Sequence, residues 1–101
     1  MIFEWDEEKE YTNFIKHRVL FEDAEHIFDD PRRIERIDED EHNEEDRWQT
    51  MGMADKVLFV VYTERGDSTR IISARVAKPY ERRIYYGNSE KYPRGWRKAN
   101  S

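Results

Sequence analysis

The chain of 101 residues contains no cysteine. Disulfide staples and thiolate chemistry are therefore excluded, and the redox compartment is left open. No apolar run approaches the ~18 residues a membrane span needs. No signal peptide opens the sequence, so a cytoplasmic location is expected. Apolar residues are scarce, at 37% against 41% charged, which is near the hydrophilic limit for a compact fold. Ligand-type side chains are also poorly arranged. His42 sits in the acidic run DEDEHNEED (38–46), but no second histidine lies at ligand spacing. Neither a metal site nor any other cofactor is expected.

What the chain does have is aromatic residues, 14% of the total, which supply most of the buried area per residue. The length suits one small domain and leaves no room for a second core. Charge is unevenly spread. Residues 1–46 hold 6 Lys/Arg against 18 Asp/Glu, a net −12, whereas residues 47–101 hold 12 against 5, a net +7. Such a split suggests one face for a polyanion and another for a basic partner, although solvated surface charge accounts for it equally well.

Local patterns give an order of elements. Met1 to Trp5 alternates as a short strand. Asp6 is a natural N-cap, with Glu7 and Glu8 in the first turn of a helix reaching about His17. Phe21, Ala24, Ile27 and Phe28 carry a second helical stripe, stopped by Asp30-Pro31. An edge strand over Arg32–Ile37 precedes the exposed acidic loop. Trp48–Met53 reads as a strand that turns at Ala54-Asp55-Lys56 into VLFVVYT (57–63). That run is apolar on both parities and so is covered on both faces. Gly66-Asp67 is a hairpin signal returning the chain through RIISARVA (70–77). Pro79 opens a last helix through Tyr86. The expected fold is α+β, an antiparallel meander sheet in the order β-α-α-β-β-β-β-α with helices on one face. Residues 1–87 form the domain, and 88–101 a tail that lacks helical or strand period; Tyr92 and Trp96 suggest packing on something, such as a partner, but the tail reads more simply as a frayed end.

Several spaced motifs run in order along the chain: Phe3, Trp5, Asp6 and Lys9; Asn13, Lys16 and His17; Phe21, Glu22 and Ala24; Phe28, Asp30 and Pro31; Glu45 and Arg47; Tyr62, Thr63 and Arg65; RIISAR (70–75); and Glu81, Arg82, Arg83 and Tyr85. Together they resemble the BrnT toxin family of type II toxin–antitoxin systems. The resemblance implies a RelE-like fold and an endoribonuclease that halts translation. It also implies a BrnA-like antitoxin with a ribbon-helix-helix DNA-binding domain, a two-plus-two heterotetramer, and contact with operator DNA only through that antitoxin. One departure stands out: the family usually has glycine after Lys-His, where this chain has Arg18, so the turn after the first helix is expected to be altered or strained.

Cleaving RNA without a metal requires three jobs. The 2′-OH must lose a proton, charge on the phosphorane must be neutralised, and the 5′-oxygen must be protonated. Arginine's planar fork suits the second job, and histidine suits the first or third. Under this reading Arg75, Arg65, His17 and Tyr86 are the candidate catalytic residues. Lys16, Arg70, Lys78, Arg82 and Arg83 are candidate RNA contacts. Each has a plainer alternative: ion pairing with the acidic loop for Arg65, a helix C-terminal charge for His17, packing for Tyr86. Glu64 is read as the partner of Arg65, and Trp5 and Trp48 as core. A different class of function also fits, a non-catalytic RNA-binding or co-repressor subunit acting through its partner.

Strand parity bears on the three arginines of TERGDSTRIISARVA (63–77). A two-residue turn at Gly66-Asp67 sets Arg70 opposite Thr63 and Arg75 opposite Leu58, with Arg65 and Arg75 on different faces. A bulged three-residue turn puts those two on one face. Either way they lie ~20 Å apart at strand rise and cannot grip one phosphate. Arg75, deep in the strand, is the leading candidate for phosphate.

Overall fold

The computed structural model describes residues 1–40, 42–87 and 91–100. Glu41 of the acidic loop, and positions 88–90 and 101 of the expected tail, lie outside the described residues. The elements run β1 (Ile2–Glu4), α1 (Glu7–His17), α2 (Phe21–Ala24), a 3-10 turn (Glu25–Asp29), β2 (Ile34–Asp38), β3 (Arg47–Ala54), β4 (Lys56–Arg65), β5 (Ser68–Val76), α3 (Pro79–Tyr85) and β6 (Arg97–Lys98). Among the described residues the strands form one mixed sheet in the order β1-β5-β4-β3-β2-β6.

The α+β class and the β2–β5 meander stand as expected. The wholly antiparallel sheet does not. β1 lies parallel to β5, pairing Ile2–Glu4 with Ser68–Arg70. The two strands are joined through all the elements between them, so no tight turn dictates opposite directions. Nor is β2 an edge strand, because β6 pairs with it at Ile34 and Glu35. The described part of the tail is tied down rather than frayed. Trp96 is buried and meets Phe59 edge-on at 6.0 Å. Ala99 N–H donates to the Arg33 carbonyl at 2.9 Å, and Arg97 pairs with Glu35 at 3.2 Å.

Helical segments cover both faces, not one. On the first face, Phe21, Ala24 and Ile27 pack on Leu58, Val60, Ile71 and Ala74. On the second, Tyr85 and Trp96 pack on Ile34, Met51, Val57 and Phe59. The continuous apolar run of β4 is accounted for in this way: its even residues feed one core and its odd residues the other. Trp5 packs against the first core, as expected. Trp48 is instead half-buried beneath the Arg97 guanidinium at 5.4 Å.

α1 starts where the sequence indicates. The Asp6 carboxylate accepts from Glu8 N–H at 2.8 Å and Lys9 N–H at 3.2 Å, satisfying two otherwise unpaired donors. It ends at Arg18, which takes the left-handed conformation itself (φ 60°, ψ 29°) and donates its N–H to the Phe14 carbonyl at 2.8 Å. The turn is thus retained without the glycine, at a steric cost of about 1 kcal/mol. β3 crosses the 3-10 turn closely at Gly52, where a Cβ would sit 2.8 Å from Ile27 Cβ and 2.9 Å from the Ile27 carbonyl oxygen.

Two expectations for urea unfolding arise here. Arg18→Gly should gain about 1 kcal/mol by relieving the left-handed arginine, and an unchanged or lower midpoint would count against that strain. Gly52→Ala should lose about 1–3 kcal/mol, because the backbone of Ile27 cannot step aside cheaply; a neutral result would show that the 3-10 turn shifts freely.

Candidate functional site

The site is built on the outer edge of β5. β1 pairs with β5 only as far as Arg70, and beyond it α1 takes over. The buried Asn13 amide donates to the Ala74 carbonyl at 2.8 Å, and its oxygen accepts from Ala74 N–H at 3.1 Å. The same amide donates to the Val19 carbonyl at 3.1 Å. One side chain therefore imitates a missing strand and pins the C-terminal half of α1 to the edge. Lys16 and His17 follow on the next turn, and both border a cleft of about 440 Å³ shared with Ile72 and Ser73.

On β5 the register changes midway. Arg65 to Tyr62 pair with Ser68 to Ile71 through a two-residue turn, but Val61 pairs with Ser73, leaving Ile72 as a bulge. Arg75 therefore lies opposite Phe59, not Leu58. Its guanidinium sits 4.3 Å from the centre of the Phe59 ring. The bulge also restores parity across the strand: Arg65, Arg70 and Arg75 all project on the face of Phe59.

Arg75 is held by Glu81. Nη1 and Nη2 donate to the two carboxylate oxygens at 2.7 and 2.9 Å, and Glu81 also accepts the Lys78 N–H at 2.7 Å. Burial by itself would raise the Glu81 carboxyl pKa. The bonds from Arg75 and Lys78 outweigh that and hold it below the ordinary value. The same contact raises the Arg75 pKa. Two terminal protons are thus engaged, and a third faces the Val76 carbonyl at 3.4 Å. Of the five N–H donors of a guanidinium, Nε–H and one on Nη2 stay available to a ligand.

His17 is pushed below its ordinary pKa by desolvation, then by the Lys16 ammonium and the Arg75 guanidinium. Tyr80 also lies within electrostatic reach of Arg75, and its ring is largely exposed. Lys16 and His17 therefore border the β5 edge, and the Arg75 charge is felt at both His17 and Tyr80. Of the remaining candidates, Lys78 adjoins Arg75 through Glu81, whereas Arg65, Arg70 and Tyr86 lie elsewhere. Arg65 pairs with Glu45 of the acidic loop at 3.1 Å, not with Glu64. Arg70 meets Glu4 at 3.8 Å. Tyr86 caps the far end of α3, edge-on to Tyr85 at 5.0 Å and 5.7 Å from the Arg32 guanidinium. Lys78 is the N-cap of α3, Arg82 donates to the Ala77 carbonyl at 3.0 Å, and Arg83 is exposed. Among the described residues no group of three His, Asp or Glu side chains is placed to hold a metal ion; His42 reaches only Asp40, at 3.0 Å.

Three residues escaped the sequence reading as parts of this site. Glu81 and Asn13 stood in the quoted motifs without a role, and their partners lie across a turn or 61 residues away. Asp30, recognised only as a helix stop, binds the far end of α3. It accepts from the Tyr85 hydroxyl, from Met53 N–H at 2.7 Å and from Arg32 N–H at 2.8 Å. Burial would raise its pKa, but these bonds lower it, while burial and Asp30 together raise that of Tyr85.

The Arg75–Glu81 pair can be weighed by a double-mutant cycle with Arg75→Met and Glu81→Gln. A coupling of about 2 kcal/mol is expected at pH 7. Because the folded carboxyl pKa lies below its ordinary 4.5, this stabilisation is present above pH 4.5 and is lost as the pH falls through the folded value. Coupling below ~0.5 kcal/mol at pH 7 would be that of an ordinary surface pair and would remove Glu81 as the anchor.

No curated protein matches this chain. Residues 5–81 match the family described as "Ribonuclease toxin, BrnT, of type II toxin-antitoxin system". That span holds Asn13, Lys16, His17, Arg75, Tyr80 and Glu81 and covers most of the sequence, so the chain belongs to the BrnT family of ribonuclease toxins, whose type II systems pair a toxin with a protein antitoxin.

Proposed function

We propose that this toxin is a metal-independent endoribonuclease that cleaves RNA at the β5 edge and thereby inhibits translation in the cytoplasm. The observation that carries this reading is the orientation of Arg75. Glu81 fixes its fork while Nε–H and one Nη2 proton stay open, and its charge reaches both His17 and Tyr80. A scissile phosphate set against those protons meets a pre-oriented cation, which stabilises the phosphorane without reorganisation.

His17, neutral at pH 7 because its pKa is lowered, takes the proton from the 2′-OH as that oxygen attacks phosphorus. Bond breaking then releases the 5′-oxygen, which receives a proton from Tyr80, and a 2′,3′-cyclic phosphate is left. Lys16 holds a non-bridging oxygen. Tyr80 stands in the catalytic set in place of the expected Tyr86, since Tyr86 is engaged by Arg32 at the other end of α3. Lys78, Arg82 and Arg83 steer the strand, and Arg65 and Arg70 act as distant phosphate contacts on the same face. Neutralisation falls to a BrnA-like ribbon-helix-helix antitoxin in a two-plus-two complex, through which alone operator DNA is touched. The left-handed turn preserved at Arg18 supports an intact end of α1 and so favours the enzyme over a purely co-repressor subunit.

Purified chain incubated with RNA in EDTA should produce fragments ending in cyclic phosphate. Arg75→Ala should cut the rate by about 100-fold or more with the circular dichroism spectrum retained. The acid limb of the rate profile should lie below pH 6.5, the ordinary histidine value, and should vanish in His17→Asn. Binding of RNA without cleavage in EDTA would overturn the proposal and favour the co-repressor reading.

A further inference from the structure

On the face of Phe59, α3 and the C-terminal tail enclose a second cleft of about 430 Å³, bordered by Tyr80, Arg83, Ile84, Lys91, Tyr92 and Arg94. Ile84 and Tyr92 pack against the second core and give it a fixed apolar floor. Its rim is cationic. Other cations on this side are engaged: Arg36 with Gln49 at 2.7 Å, Arg97 with Glu35, Arg82 with the Ala77 carbonyl and Arg75 with Glu81. Among the described residues, by contrast, the side chains of Arg83, Lys91 and Arg94 make no ion pair and donate no hydrogen bond.

Three cations with no carboxylate partner among the described residues repel one another around one cleft, and an anion relieves that repulsion. Two tyrosine rings beside them add surfaces on which planar bases stack. The volume lies in the ~300–1,000 Å³ range of small-ligand sites, enough for a nucleotide. Cations that track a backbone, together with aromatic rings that accept any base, make a surface for single strands. Tyr80 borders this cleft and also lies within reach of Arg75, so a strand can pass from one to the other. Most of the cleft lies beyond residue 81, where the family match ends.

We infer that this α3–tail cleft is an accessory subsite for single-stranded RNA, holding nucleotides that flank the bond cut at Arg75. The inference rests on the ribonuclease site proposed above, but binding and cleavage are read separately. Fluorescence anisotropy with a labelled 2′-O-methyl decamer, which cannot be cleaved through its 2′-oxygen, measures binding in the full chain. The double variant Lys91→Gln/Arg94→Gln changes two exposed side chains and neither core. Its affinity should fall at least tenfold at low salt, and the slope of log affinity against log salt should flatten by ~1.4, the value for two single-strand phosphate contacts. Cleavage of a dinucleotide, which has no nucleotide beyond the two joined by the scissile bond, should stay within twofold of the parent rate.

Unchanged decamer affinity and salt slope would overturn the subsite even if the parent chain cleaves RNA. Loss of antitoxin binding with RNA affinity retained would also overturn it, assigning the cleft to an acidic protein segment instead. A parent chain that binds the decamer through these residues but cleaves nothing would support the subsite while sinking the catalytic proposal.

Discussion

The buried carboxylate of Glu81 is the contact on which the α3 side of the molecule depends. A carboxylate removed from water is costly unless its lone pairs are filled, and here three donors fill them: two from Arg75 and one from the backbone of Lys78. The same atoms thus do three things. They close the first turn of α3, fix Arg75 flat over Phe59, and set the rotation at which Ile84 and Tyr85 meet the sheet. Asp30 performs the matching task at the other end of the helix through Tyr85. A seven-residue helix is too short to be stable alone. Anchored at each end by a carboxylate, it becomes a rigid wall beside the candidate site.

That arrangement needs Arg75 on the face of Phe59, and the bulge at Ile72 puts it there. In an unbroken register Arg75 would point with Ile71 and Ser73 toward the first core, on the face away from Glu81. One extra residue in β5 rephases the strand, so that Arg65, Arg70 and Arg75 share a face while Ile71 and Ala74 stay buried. The cost is one disrupted ladder position, and Asn13 makes good the open edge two residues on. The same amide brings the end of α1, with Lys16 and His17, up to the edge where Arg75 waits.

Legibility in the sequence followed the range of each interaction. The Asp6 cap, the Asp55 and Gly66-Asp67 turns, the proline start of α3 and the two-sided β4 depend on neighbours within a few residues, and all were readable. The bulge was not, because RIISAR carries no glycine or other local mark at Ile72. The parallel β1 was hidden because its partner lies more than 60 residues on. Trp96 gave a true signal of burial, but nothing nearby indicated that its own sheet would be the cover. Which end of α3 faces Arg75 was not readable either, because it is fixed by Glu81, a residue with no periodicity to betray it. At Arg18 the family's glycine suggested a changed turn, yet the backbone demand of the Phe14 carbonyl bond prevailed over side-chain preference.

The charge split acquires a physical meaning once its members are placed. Much of the acidic half is spent locally. Glu7, Glu8 and Glu10 occupy the first turn of α1, and Glu22 and Asp23 that of α2, each complementing a helix dipole. Glu45 and Glu4 answer Arg65 and Arg70. The basic half is spent less completely. Lys78, Arg83, Lys91 and Arg94 stand exposed on α3 and the tail, and Arg75 keeps two donors. A net charge of −5 therefore misrepresents the field an approaching polyanion meets. Repulsion from the acidic side and attraction to the α3 side act in the same sense and orient the strand before contact. A uniformly basic surface would accept a polyanion in many poses, whereas under the proposed function this distribution favours those that present a phosphate to Arg75.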